Sequence, residues 1–355
     1  MNYISLTTIE THTCGEPFRI LINGLPKKIP GKTLLDKRNY IQKNYDYIRT
    51  TLMREPRGHY DMFGGYLLDT TNYEIEADAS IIFINPDGYT DQCGHGIISI
   101  VTTLIQQGWI DQSKYKLKPE LMEIKLETTI GIIETKACWN GKNVEFVRFN
   151  NTPVFILYEN IIVNTSIGPL TGDIVFNGAF NFFTEVLKEI LPINPENANK
   201  ILNIGYEIKQ EIKKLDNLKI YNKDFPQIKG LHGVDFINVN KEKIDLSNEL
   251  IPNQKSCLVL GIKQLDRSPC GSGTAGRTGS LYLKGLIDKE YRYVNQSLIG
   301  SKLFARIVET GLKANGGEND ACIIEIEGHA NIMGTSTWNL DFEDTVSLNG
   351  FIVCH

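Results

Sequence analysis

The chain has 355 residues, 41% of them hydrophobic and 22% charged, with 37 Lys and Arg against 42 Asp and Glu for a net charge of −5. That length suits two domains, and the acidic balance offers no general attraction to nucleic acid or an anionic membrane surface. The longest apolar runs, such as GIISIVTTLI at 96–105, fall short of the roughly 20 residues of a membrane span.

MNYISLTTIETHTCGEP at the N-terminus shows no basic segment followed by an apolar core, so no secretory leader is expected and a cytoplasmic location follows. The 3.6-residue pattern predicts a helix over 32–53. A strand is predicted at 79–86, a helix after Cys93, and β-rich runs at 122–137 and 143–157. Further along come a helix at 197–215, a strand at 257–265, a helix after Cys270, and strands at 302–310 and 321–340. Strands that alternate or carry β-branched residues, with few helices among them, read as an α+β fold.

An internal repeat organises these elements. DQCGHGIISIVTTLIQQG at 91–108 and DRSPCGSGTAGRTGSLYLKG at 266–285 both carry C-G-x-G, with glycine at the fifteenth position after the cysteine. Leu104 matches Leu281, Ile110 and Asp111 match Ile287 and Asp288, and TIG at 129–131 matches LIG at 298–300. The chain therefore reads as two half-molecules: residues 1–138 with 341–355, carrying Cys93, and residues 139–340, carrying Cys270.

Seven cysteines stand at 14, 93, 138, 257, 270, 322 and 354. They are odd in number and form no CxxC pair, which argues against a disulfide framework. Cys138, Cys257, Cys322 and Cys354 lie among strand-like residues and read as inert core. Cys93 and Cys270 differ, because each begins a helix. The first-turn N–H groups lack intrahelical partners there and carry partial positive charge. That setting favours a thiolate and draws the thiol pKa down. It also cradles an anion such as a carboxylate. Taken singly, either site could be a tight glycine turn with cysteine as a small capping residue. Two matched sites in two halves suit acid–base exchange at a stereocentre, with one thiolate removing a proton while the other thiol delivers one.

At these residues the sequence resembles the proline racemase family. Gln92-Cys93-Gly94-His95-Gly96 is similar to the family's M-C-G-H-[GNA], and Asp266 through Thr274 is similar to D-R-S-P-C-G-T-G-T. HTCGEPFRI at 12–20 and LMREPRGHYDMFGG at 52–65 resemble two further family blocks. The resemblance implies a fold like diaminopimelate epimerase: two pseudosymmetric domains, each a curved, mostly antiparallel sheet around a central helix, with the site between them. It implies inversion at the α-carbon of proline or hydroxyproline without metal, pyridoxal phosphate or other cofactor. Cys93 and Cys270 would be the acid/base pair, and Gly94, His95, Gly271 and Ser272 would surround the substrate carboxylate. Asp266 would meet the ring nitrogen, with Phe63 and Leu260 against the ring. A small-molecule substrate is the expected partner, nucleic acid and membrane are not, and a homodimer is an admissible assembly.

Four departures bear on the substrate. Gln92 replaces the usual Met, Ser272 replaces Thr, Leu260 stands where many members carry an aromatic, and Asn177 stands where glycine is common. Cys14 and the non-aromatic Leu260 lean toward 4-hydroxyproline over proline. The family's dehydratases of trans-3-hydroxyproline usually place threonine at the second thiol position, so Cys270 argues for an epimerase or racemase. Diaminopimelate epimerase itself is disfavoured by the HTCGEP and EPRGH blocks. A non-catalytic protein that binds or senses redox state through paired thiols is the alternative from another class.

Overall fold

The computed structural model describes residues 3–70, 76–110, 121–239 and 254–353; Cys354 and the Asp111 of the repeat lie outside them. The fold is α+β, dominated by sheet, and the chain divides into two compact units: Met1–Phe149 with His329–His355, and Asn150–Gly328. The first unit contains β1 (Tyr3–Thr13), β2 (Glu16–Asn23), α1 (Leu34–Met53), β3 (Phe63–Leu68) and β4 (Ala79–Ile84). It continues with β5 (Tyr89–Thr90), α2 (Gly94–Gln106), β6 (Met122–Thr128), β7 (Gly131–Trp139) and β8 (Val144–Asn150). The second unit holds β9 (Val154–Thr165), β10 (Gly168–Phe176), β11 (Phe180–Leu187), α3 (Ala198–Lys213), β12 (Gly233–Val239) and β13 (Gln254–Leu260). Then come β14 (Gln264–Leu265), α4 (Gly271–Leu283), β15 (Arg292–Gln296), β16 (Lys302–Ala314) and β17 (Asn319–Gly328). Finally β18 (Ala330–Asp341) and α5 (Thr345–Asn349) return to the first unit.

Strand pairing in the first unit runs β18–β1–β2 antiparallel, β2–β3 parallel, β3–β4–β5 antiparallel, β4–β6 parallel and β6–β7–β8 antiparallel. In the second unit β9–β10–β11 is antiparallel, β11–β12 parallel, β12–β13–β14 antiparallel, β13–β15 parallel and β15–β16–β17 antiparallel. The two orders are the same. In each, the second parallel pair needs a crossover, and the helix that follows the cysteine lies within it.

Those two helices are buried nearly all round. His95 through Ile105 is a continuous buried run, with α2 packed on β1, β2, β7 and β18. On α4 small residues let the helix approach its sheet: a Cβ on Gly276 would strike the Phe183 ring, and one on Gly279 would strike Val154. Side chains of 12-residue β9 and of β10–β13 and α3 fill the second unit's core, including Phe155, Phe180, Phe182, Ile204 and Val259. The first unit's core gathers Leu6, Ile41, Leu52, Tyr66 and Ile82. Among the described residues no helix is long and apolar enough to cross a membrane.

The blocks quoted at 12–20 and 52–65 buckle the first unit together. Arg19 binds Glu10 at 2.9 Å, donates to the carbonyls of Leu52 at 2.5 Å and Arg57 at 2.9 Å, and lies over Trp338. Arg57 in turn donates to the carbonyls of Ser347 and Asn339. These bonds fix the loop leading into β3, and so fix Phe63.

Several sequence expectations need adjusting. The run at 122–137 is a hairpin of two strands, 143–157 is broken before Pro153, and 321–340 is broken at His329. The unit boundaries fall at 149/150 and 328/329 rather than 138/139 and 340/341. The β7–β8 hairpin and the long β1–β18 ladder each hold both of their strands in the first unit. Cys257 and Cys322 are buried, but Cys138 is only half-buried, on β7, with its Sγ 3.4 Å from Glu145.

The repeat extends to the helix ends. Gly108 and Gly285 adopt φ of +67° and +68°. Trp109 N–H bonds the Leu104 carbonyl and Leu286 N–H bonds the Leu281 carbonyl, the six-to-one bond of a Schellman end. An added Cβ would meet nothing at either glycine. Gly108→Ala and Gly285→Ala should therefore each cost about 1 kcal/mol through backbone conformation alone, read as a lowered urea midpoint with an unchanged slope.

Candidate active site

Cys93 caps the N-terminus of α2 from an extended backbone, with φ −155°. Its side chain, 7% exposed, places Sγ 3.6 Å from both ring nitrogens of His95. The first intrahelical bond runs from Ile97 N–H to the Cys93 carbonyl, so the N–H groups at 94–96 have no acceptor within the helix. Gly96 must lack a side chain, because a Cβ would stand 3.0 Å from Cys93 Sγ and against the Phe18 ring. The His95 ring is boxed edge-on by Phe63 at 5.1 Å and Phe18 at 5.7 Å. Burial pushes its pKa down to about 3, so it is a neutral imidazole that donates or accepts but carries no charge. Below it, Thr13 Oγ1 donates to the His95 carbonyl at 2.7 Å and meets Ser99 Oγ at 2.8 Å.

Cys270 caps α4 differently. Its φ is +59°, a region that disfavours a residue with a side chain. The turn is over-determined around it. Ser268 Oγ accepts from the Cys270 N–H at 3.0 Å, Cys270 Sγ accepts from Gly273 N–H at 3.2 Å, and Asn295 Nδ2 donates to the Pro269 carbonyl at 3.1 Å. Cys270 Sγ also lies 3.4 Å from Ser272 Oγ. Asp266, 6% exposed, accepts from both the N–H and O–H of Ser268, at 2.8 and 2.7 Å. Its own N–H bonds the Leu258 carbonyl, which anchors it to β13. Leu260 closes that strand, 9% exposed and paired with Gln264. Asn177 is a brace: its Nδ2 donates to the Ser272 carbonyl at 2.8 Å while its Oδ1 accepts from Asn181.

The second unit thus brings together Asp266, Cys270, Gly271 and Ser272 in one turn, and the first brings together Cys93, Gly94, His95 and Phe63. A helix start is expected to draw a thiol pKa down, but at Cys270 the balance is reversed. Burial first, then the carboxyls of Asp266 and Asp235, push the thiol well above its ordinary value, outweighing the donors at Ser272 and Gly273. Asp235 is the residue that reading the motifs missed. The signal was an acid in the middle of the apolar strand GVDFINV, whose burial raises its pKa to about 8, helped by Asp266. Asp266 itself is raised to about 6 by burial, against the lowering effect of Ser268. Among the described residues no group of three or more His, Cys, Asp or Glu is arranged to hold a metal ion.

The sequence profile described as proline racemase matches residues 8–351. The chain belongs to the proline racemase family. It is accordingly an isomerase of the racemase and epimerase class. It is 35% identical over 350 residues to a trans-3-hydroxy-L-proline dehydratase of Azospirillum brasilense, covering 98% of both chains. It is 33% identical to a proline racemase of Acetoanaerobium sticklandii, covering 97% of both. A hydroxyproline epimerase of Agrobacterium vitis, solved with trans-4-hydroxy-L-proline bound, superposes with a TM-score of 0.81 at 25% identity, over 99% of this chain and 96% of that one.

The raised carboxyls set a pH dependence of stability. The folded protein holds protons that the unfolded chain releases near pH 4, so this contribution is full below the ordinary carboxylate range. It is lost as pH rises through the folded pKa values of about 6 and about 8. Urea midpoints of the ligand-free protein should fall over that window. In Asp235→Asn the fall should be shallower, because one of the two groups no longer titrates.

Proposed function

We propose that this family member is a cofactor-independent two-base epimerase that inverts the α-carbon of 4-hydroxyproline through Cys93 and Cys270. The observation that carries the reading is the duplicated device: a cysteine at the start of a buried 13-residue helix, set at the same place in the same strand order of each unit. The chemistry requires one α-carbon reached by both thiols. One thiolate takes the α-proton, the electron pair delocalises into the carboxylate, and the other thiol delivers its proton to the opposite face. Product leaves with the thiol and thiolate roles exchanged. Preorganised N–H groups of the two helix starts, at Gly94, His95, Gly271 and Ser272, stabilise the charge that develops on the carboxylate.

Asp266 holds the ring ammonium, while Phe63 and Leu260 cover the ring. Neutral His95 acts as a hydrogen-bond partner rather than as a proton carrier. Burial and the neighbouring carboxyls raise the Cys270 thiol, which favours its protonated form in the ligand-free protein and suits it to deliver a proton. Matched halves built as in diaminopimelate epimerase would supply the geometry, and no metal or pyridoxal phosphate is needed. Proline in place of hydroxyproline is supported by the racemase relative. Dehydration of trans-3-hydroxyproline is supported by the 35% identical dehydratase, but Cys270 weighs against it. Elimination uses proton removal from one face only.

Incubation in D₂O with L-proline, trans-4-hydroxy-L-proline and trans-3-hydroxy-L-proline, followed by NMR, separates these reactions. The expected result is α-deuteration and inversion of the 4-hydroxy substrate. Loss of the 3-hydroxyl would replace the epimerase reading with the dehydratase one. Cys93→Ser and Cys270→Ser should each lower kcat by about 10²–10⁴-fold, because a hydroxyl is too weak an acid to replace the thiol. Near-normal turnover in either variant would sink the two-base mechanism.

Ring specificity should respond to residue 260. Leu260→Phe fills the space that a ring substituent would occupy, and a buried hydroxyl without a partner costs roughly 1–3 kcal/mol. The ratio of kcat/KM for 4-hydroxyproline over proline should fall in this variant. A ratio that does not move would remove Leu260 from the specificity argument.

A further inference from the structure

One carboxyl beside the Cys270 turn has no task in the mechanism above. Asp235 is 1% exposed in the middle of β12, opposite Phe183 on β11 and Leu258 on β13. Neither of its carboxyl oxygens has a hydrogen-bond partner. Such a group is rare in a folded protein, because burying it unpaired is costly.

Two observations say where it points. A Cβ added to Gly273 would collide with Asp235 Oδ2 and lie 3.4 Å from Cys270 Sγ, so both atoms border one point on the first turn of α4. Leu258, the ladder partner of Asp235, also accepts the backbone bond of Asp266. The two acids therefore flank the same thiol. Asp266 spends Oδ1 on Ser268, whereas both oxygens of Asp235 are open.

We propose that Asp235 and Asp266 form a two-carboxyl cation site beside Cys270, with Asp235 accepting the second N–H of the substrate's ring ammonium. The inference rests on the amino-acid reading above. A ring ammonium carries two N–H bonds, and two acceptors satisfy it where one leaves a donor buried and unpaired. The other charged or titratable groups facing Asp235 are committed elsewhere. Arg277 bonds Gln254 and Glu185, and the Tyr293 hydroxyl donates to Gln254 at 3.0 Å. Cys270 adds no positive charge.

The site has a pH signature. With its pKa near 8 in the empty protein, Asp235 holds a proton at neutral pH that a bound cation displaces. Binding should therefore release a proton, and affinity should improve as pH rises toward 8.

The test compares L-proline with tetrahydrofuran-2-carboxylate, which has the same ring and carboxylate but no N–H, by calorimetry on the full chain carrying Cys93→Ser to stop turnover. In buffers of different ionisation enthalpy, L-proline should release protons and the ether should not. Adding Asp235→Asn should weaken L-proline by about tenfold or more, the scale of a lost charge-assisted bond, while leaving the ether unchanged or tighter. L-Proline binding that releases no proton, or that Asp235→Asn leaves unaltered, overturns the inference alone. Should Asp235→Asn fail to fold, the proton count on the Asp235-containing protein still decides. α-Proton exchange by the wild type tests the underlying reading separately, and absence of both exchange and binding overturns both.

Discussion

A helix buried on every side must still do something with the free N–H groups of its first turn, and the rest of this structure depends on how that is resolved. In both α2 and α4 the residue capping that turn is a cysteine that opens a C-G-x-G motif. The glycines keep side chains out of the turn, which leaves the polar end of an otherwise apolar helix open to a ligand's negative charge. Everything nearby serves to hold that opening in shape. Thr13 and Ser99 pin the His95 carbonyl, Asn177 pins Ser272, and Asn295 pins Pro269.

The two openings occupy the same place in the strand order but differ in both backbone conformation and electrostatics. Cys93 has a neutral, buried imidazole for its neighbour, and its backbone is extended. Cys270 is held at positive φ between two acids. A pair of carboxyls disfavours a thiolate between them, and on the proposed reading a substrate ammonium bound there would ease that penalty. Such coupling would be a reason to keep costly buried acids next to a thiol.

Part of this was legible in the chain. The C-G-x-G repeat with its distant matching glycines marked both helices from N-cap to C′, because helix ends obey local rules set by the backbone and the adjacent residues. The same locality made the helices at 32–53 and 197–215 recoverable to within two residues. The strands at 3–23, 63–68 and 168–187 were not recovered, since a strand's partners are distant in sequence and its burial pattern depends on which face is covered. The unit boundaries failed for the same reason: a ladder such as β1–β18 joins residues more than 300 positions apart.

What the sequence determined by itself was the chemistry available: two thiols at two helix starts, an acid four residues before the second, and family blocks that place the chain among the proline racemases. What only tertiary structure decided was the electrostatic state of those groups. Asp235 stands in a strand thirty-five residues before Cys270, and nothing local to it announces a site. Packing β12 beside β13 brings it to the first turn of α4, strips it of water and pairs it with Asp266. The shift of a buried group comes from desolvation and from charges close in space, and neither quantity is encoded in sequence separation.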